Sequence, residues 1–141
     1  MERGAFEEID HTADLGLDLQ GPTPEAILEA AQRGLIQLLF GETGDLVADE
    51  SRRLAISAPD LPELLKRWCE AIYELLERDG FVTLVSEIES VDPRACEAIL
   101  HGAVPPRERV ASAGELKAVT YHQLAFEPAG DGWRARVIFD V

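Results

Sequence analysis

Asp14 and Asp140, near opposite ends of the chain, are of a residue type that binds cations. Asp14 closes the run Asp10-His11-Thr12-Ala13-Asp14 and opens the alternating Leu15-Gly16-Leu17-Asp18-Leu19. Asp140 is followed by Val141, whose α-carboxylate stands beside it at the end of the chain. Carboxylates are hard oxygen donors, suited to Ca²⁺, Mg²⁺ or Mn²⁺ rather than to thiophilic metals. If the first and last strands are neighbours in one sheet, Asp14, Asp140 and the Val141 terminus converge on one divalent ion. Termini generally fray, so an ordered acidic one suggests a site. Spacing alone leaves a plainer reading slightly ahead: Asp10 and Asp14 organise a turn, because aspartate readily bonds nearby backbone N–H groups. His11 has the chemistry of a ligand or a base. A histidine beside a turn is more often a structural hydrogen-bond partner, and that is the role expected of it. His101 and His122 show no ligand spacing with one another.

Lys117 opens Lys117-Ala118-Val119-Thr120-Tyr121-His122 in a strongly acidic chain. Its bland role is a salt bridge to one of many carboxylates. Its functional role is to pair with an acidic group on a partner or to balance the proposed cation site. Other chemistry finds little support. The chain has no Gly-x-Ser-x-Gly elbow, no phosphate-binding glycine loop and no His-Glu-x-x-His stretch. A metal-dependent hydrolase working from Asp14 and Asp140 stays open, as does a chaperone-like interaction module.

Twenty-seven acids against thirteen bases give a net charge of −14. A protein that binds nucleic acid by itself needs a cationic surface to displace phosphate counterions, so strong direct RNA or DNA binding is not expected. Arg52-Arg53, Lys66-Arg67 and Arg107/Arg109 read as solvated surface. Such a chain suits a metal cation or a basic protein partner. No apolar run approaches the ~20 residues of a membrane span, and Met1-Glu2-Arg3-Gly4 lacks the pattern of a signal peptide. Two isolated cysteines, Cys69 and Cys96, suggest reduced core thiols in a cytoplasmic protein.

The elements that must position these residues read as one domain over 1–141, without repeat or linker. Segments 4–9 and 13–20 read as strands around a turn at 10–12, with Leu15, Leu17 and Leu19 on one face and Asp14, Gly16 and Asp18 on the other. Thr23 caps a helix over 24–40 that starts on Pro24 and carries the stripe Ile27, Ala30, Ala31, Leu35, Leu38 and Leu39. After an acidic loop and a strand at 53–58, Asp60 and Glu63 take capping-box spacing at the head of a helix over 61–79. Its stripe of Leu61, Leu64, Leu65, Trp68, Ile72 and Leu76 faces a core. Strands follow at 81–91 and 94–102 around Asp92-Pro93, then a loop at 103–114. Strands at 117–126 and 133–141 close the chain, and alternation puts Asp140 on the face opposite Phe139. The pattern is α+β, with two helices packed on a largely antiparallel sheet.

Four segments in combination resemble the archease family: Ile9-Asp10-His11-Thr12-Ala13-Asp14, Gly21-x-Thr23-x-x-x-Ile27, Lys117-Ala118-Val119-Thr120-Tyr121-His122 and Val137-Ile138-Phe139-Asp140-Val141. The resemblance spans the chain, with Phe139 and Val141 at positions where the family often has aliphatic residues and a terminal isoleucine. It implies an accessory protein, not an enzyme, that activates an RtcB-type RNA ligase in tRNA splicing and RNA repair. The accessory role is to promote guanylylation of the ligase and sustain multiple turnover, with GTP and Mn²⁺ belonging to the ligase reaction. It further implies that Asp14, Asp140 and Val141 are metal ligands, and that Lys117 acts in activation together with the two aspartates.

Overall fold

Both long helices begin where the sequence places their caps. The structure, a computed structural model, describes residues 3–11 and 14–141, and at 10, 11 and 14 the backbone alone. In chain order its elements are β1 (Ala5–His11), β2 (Asp14–Gly21), α1 (Pro24–Leu39), β3 (Glu50–Ser57), α2 (Leu61–Asp79), β4 (Val82–Asp92), β5 (Ala95–Ala103), α3 (Arg107–Ala111), β6 (Ala118–Val119), β7 (Ala125–Ala129) and β8 (Gly132–Asp140). The Thr23 hydroxyl accepts the Ala26 N–H at 3.1 Å, and Asp60 accepts that of Glu63 at 2.9 Å. Each bond satisfies an N–H that the first helical turn leaves without a partner. At the far end of α2, Gly80 takes a left-handed φ of 66°. Its N–H reaches the Leu76 carbonyl at 3.1 Å, the αL form of helix stop.

The α+β class and the antiparallel pairing are as expected, but the strands divide between two sheets. One has the order β1-β2-β8-β6, with β7 also on β8, and the other the order β3-β5-β4. Helix α1 is the reason for the division. Ala26, Ile27, Leu28, Ala30, Ala31, Gln32, Gly34, Leu35, Ile36 and Leu39 are all buried, more than one stripe can account for. A helix buried around most of its circumference needs cover on more than one side. Gly34 lets α1 approach β2 closely; a Cβ there would sit 2.9 Å from Leu17 Cδ2. On β4, buried Gln32 donates to the Thr83 carbonyl at 2.9 Å and accepts from the Ser86 hydroxyl at 2.9 Å. Trp68 of α2, fully buried, donates its indole N–H to the Leu28 carbonyl at 2.8 Å. That bond lets its polar edge enter the core without an unpaired donor.

Three other expectations change in detail. The 103–114 loop contains α3, too short for a periodic signal, begun by Pro106 and fastened by an Arg109–Asp45 ion pair. The strand expected over 117–126 is broken into β6 and β7. Both the N–H and the hydroxyl of Thr120 bond the Ile138 carbonyl, at 2.9 and 3.0 Å, and Gln123 turns the chain with φ 52°. Of the turn expected at 10–12, residues 10 and 11 belong to β1, which runs to His11, and residue 12 lies outside the described residues, as does residue 13, expected to open the next strand. Both cysteines are free and buried. Burial pushes the Cys69 thiol up to about 12 and that of Cys96 to about 11, so both remain neutral thiols near pH 7.

Candidate functional site

The last strand is anchored from its apolar face. Val137 and Phe139 of β8 are fully buried, as is Leu17 of β2, with Leu19 at 1% exposure. Burying one such side chain contributes roughly 1.5–3 kcal/mol, and the alternation then commits the intervening residues to the opposite face. Register follows from this. Asp14 pairs with Asp140, Leu15 with Phe139, Gly16 with Ile138, Leu17 with Val137 and Asp18 with Arg136. At Gly16 the strands come so close that a Cβ would meet the Val137 carbonyl oxygen at 2.7 Å. A one-residue slip would send Phe139 outward, so the pairing of Asp14 with Asp140 is enforced by the core.

The same row extends to both sides. His11 of β1 is the register partner of Asp14, and Ala118 of β6 that of Asp140. The Lys117 N–H donates to the Asp140 carbonyl at 2.8 Å, which brings Lys117 to the end of the row beside Val141. Asp140, Val141 and Lys117 are exposed. Topology thus brings together, at one sheet end, the backbones of all four expected site residues and of His11. Asp10 pairs instead with Leu15, on the alternate parity, which separates the two aspartates of the first motif. Side chains at Asp10, His11 and Asp14 lie outside the described residues. The remaining histidines are elsewhere: His122 is in the β6–β7 connection and His101 on β5.

Charge pairing differs sharply along these two strands. At the Asp18–Arg136 pair the guanidinium holds the carboxylate through two hydrogen bonds, at 2.6 and 2.9 Å. The bond to Asp18 raises the Arg136 pKa. At the Asp14–Asp140 pair an acid is opposite an acid, and like charges directly opposed in a sheet are destabilising. Among the described residues no cationic side chain pairs with Asp140, and Lys117 makes no ion pair. The salt bridge that would have been Lys117's ordinary role is therefore absent from the described residues. No three described His, Cys, Asp or Glu side chains gather as a metal-binding group. The candidate site rests on the register and on the exposed Asp140 and Val141.

Sequence reasoning missed the contacts that hold β6 in place. Tyr121 is 66% exposed, yet its hydroxyl donates to Glu63 of α2 at 2.7 Å, and Lys66 lies 4.7 Å from its ring centroid. The hydrogen bond to Glu63 raises the Tyr121 pKa. Just before β6, Leu116 is buried and donates its N–H to the Tyr73 hydroxyl at 3.2 Å. The carboxylate-to-tyrosine spacing spans 58 residues, and no local pattern reports it. A concavity of about 720 Å³ between α2 and the α3 loop contains none of the row residues. Among the described residues no helix is long and apolar enough to cross a membrane.

Comparison with known proteins matches residues 6–141 to the Archease protein family (MTH1598/TM1083). Protein archease of Methanosarcina acetivorans is 30% identical over 140 residues, covering 96% of this chain and 95% of the relative. Protein archease of Methanopyrus kandleri is 30% identical over 139 residues, covering 96% and 99%. Among solved structures, protein 1598 of Methanobacterium thermoautotrophicum superposes with a TM-score of 0.75 at 27% identity, covering 97% of this chain and 99% of that one. A Thermotoga maritima structure described as an archease and possible chaperone shares the fold, with a TM-score of 0.63 at 22% identity over 96% of both chains.

Proposed function

From the premise that this chain belongs to the archease family, we propose that it is an accessory protein that activates an RtcB-type RNA ligase. It promotes guanylylation of the ligase and sustains multiple turnover in tRNA splicing and RNA repair. In this reading it catalyses no reaction of its own, and GTP and Mn²⁺ are consumed or held by the ligase. The observation that carries the reading is the row in which Asp14 is paired with Asp140 and Lys117 is bonded to the Asp140 carbonyl. An acid opposite an acid, with no cationic side chain on Asp140 among the described residues, fits a divalent cation as the missing countercharge. Asp14, Asp140 and the Val141 carboxylate are its ligands in this proposal. Such an ion neutralises phosphate charge.

Lys117 and the two aspartates then form the surface offered to the ligase. The acidic character of the molecule supports a basic protein partner over RNA itself. The test is a guanylylation assay with an RtcB-type ligase, GTP and Mn²⁺, with and without this protein. Faster formation of guanylylated ligase and many ligations per ligase are expected; no stimulation overturns the proposal. A general chaperone would stimulate equally well without Asp140 and Lys117, which separates the two readings.

A further inference from the structure

Among the described residues, five strands leave one edge unpaired: β3 and β4 in one sheet, and β1, β6 and β7 in the other. A free edge offers a row of N–H and C=O groups to any extended chain, and proteins ordinarily blunt it. Four of the five are blunted here. Strand β4 shifts register twice, between Thr83 and Val85 and between Ile88 and Ser90. On β3, arginine side chains occupy backbone carbonyls: Arg52 donates to that of Ser51 at 3.0 Å and Arg67 to that of Ser57 at 2.6 Å. Strand β6 is two residues long, and β7 carries Pro128. The exception is β1.

Its seven residues, Ala5–His11, pair with β2 in unbroken antiparallel register, without proline, bulge, lysine or arginine. Arg33 donates to the Gly4 carbonyl just before the strand, and no described side chain bonds the backbone from Ala5 to Ile9. Alternate residues of such a strand direct their N–H and C=O away from the one partner it has. We propose that this edge receives an extended basic segment of the ligase as an added strand. The identity of the partner rests on the functional reading above, whereas the mode of docking rests on the edge itself. Strand β1 ends on His11, the register partner of Asp14, so a chain laid along β1 leads directly to the Asp14–Asp140 row.

The charge of the occupant follows from the side chains of β1. Glu7, Glu8 and Asp10 make it acidic. Glu7 and Glu8 are exposed and make no ion pair among the described residues. Glu7 is opposite Asp18 in the register, and Arg136 is already committed to Asp18. Glu8 is opposite fully buried Leu17, on the face that packs on the core. A charge on the inward face of an edge strand excludes an apolar chain, which would cover the charge and leave it unpaired. It admits a chain that sets a lysine or arginine beside it. Neighbouring residues of a strand point to opposite faces, so Glu7 and Glu8 together select two consecutive basic residues, one toward each face. A second copy of this chain is excluded on the same ground, because β1 beside β1 sets acids along acids. Main-chain hydrogen bonds then supply affinity, and the basic pair supplies specificity.

The experiment is hydrogen–deuterium exchange across residues 5–11 of the full chain, with and without an RtcB-type ligase, paired with ligase affinity and guanylylation for two double variants of equal charge. Exchange of this segment should slow several-fold on binding, while that of the β4 edge stays as it was. Glu7→Lys with Glu8→Lys should keep the melting temperature of the parent, since both side chains are exposed. It should weaken ligase binding by about tenfold or more, because like charges then meet in the contact. Glu77→Lys with Glu108→Lys, exposed on α2 and α3, should change binding by less than about threefold, the effect of distant charges screened by salt. Equal losses in the two double variants overturn the β1 edge as the contact and leave only general charge attraction. Stimulated guanylylation with unchanged β1 exchange overturns strand addition and leaves the ligase reading standing. A ligase neither bound nor stimulated overturns that reading and this inference with it.

Discussion

Asp140 is the register partner of Asp14, and four residues inward along the same two strands Arg136 is the partner of Asp18. The inner pair is a closed, bidentate ion pair. The outer pair sets two acids opposite each other in the register at a sheet end, with Val141 next in sequence. Strand alternation puts Asp18, Arg136 and Asp140 on the same face, away from Leu17 and Phe139. On that face Arg136 is neutralised by Asp18, whereas Asp140 has no cationic partner among the described residues.

Asp140→Asn relieves the like-charge row while keeping shape and size. Without added metal the variant should be as stable as the parent or more so, by about 0.2–1 kcal/mol, the range for cross-strand pairs. Stabilisation by Ca²⁺ or Mn²⁺ should at the same time be lost. Calorimetric titration with each ion, paired with thermal melting, reads both effects. Metal affinity equal to that of the parent would remove Asp140 from the ligand set.

Gly16→Ala tests the register that builds the row. A Cβ at this position would lie 2.7 Å from both the Val137 carbonyl oxygen and Ile138 Cδ1. Backbone cannot yield as a side-chain tip can, so β2 and β8 must separate locally. Overpacking of this kind costs about 1–3 kcal/mol. Denaturant unfolding should show that loss, and metal-dependent stabilisation should weaken with it. An unchanged midpoint would mean that the two strands are less tightly apposed.

Features fixed within a few residues were legible in the sequence. Thr23, Asp60 and Gly80 mark helix ends because each acts on neighbours three or four residues away. The parity of Asp14 and Asp140 was equally readable from alternation along each strand. Their juxtaposition was not, because strand order depends on contacts across 126 positions of chain and entered only through the family resemblance. The break after Val119 was hidden for a related reason. Thr120 still bonds the Ile138 carbonyl through its N–H, and the chain leaves the ladder just beyond it, in a turn where the Leu124 N–H bonds the Tyr121 carbonyl and Gln123 takes a positive φ. The division into two sheets hinges on α1, whose small residues Ala26, Ala30, Ala31 and Gly34 admit neighbours on several sides. The Ser51–His101–Glu87 chain of hydrogen bonds, at 3.0 and 2.9 Å, likewise joins three strands and leaves no trace in local spacing.

Tyr121 gives a pH dependence with a definite sign. Its hydroxyl donates to Glu63, and that bond raises its pKa above the ordinary value. Only the neutral phenol can donate. Because the folded value is higher than the unfolded one, the contribution is fully present below the unfolded value near 10. It is lost as pH rises through the folded value. Absorbance titration at 295 nm, taken as the difference between the parent and Tyr121→Phe, isolates this group from Tyr73. Its midpoint should fall in Glu63→Gln, and a midpoint indifferent to that change would rule out the bond as the cause.

Lys117 separates partner activation from simple metal storage. It is exposed at the mouth of the row, its N–H is fixed on the Asp140 carbonyl, and its side chain makes no ion pair among the described residues. The backbone bond survives any side-chain change, so Lys117→Ala should keep β6 on β8 and leave the melting temperature within the shift expected of a surface charge, ~0–1 kcal/mol. Metal affinity should hold or rise slightly, since a nearby positive charge opposes cation binding. On the proposed reading, in which Lys117 meets an acidic group on the ligase, guanylylation at limiting concentrations of the variant should nevertheless fall well below that of the parent. Restoration by Lys117→Arg would assign the effect to charge. Full activation by a well-folded Lys117→Ala protein would show that the row works through its cation alone and that Lys117 has no part in the contact.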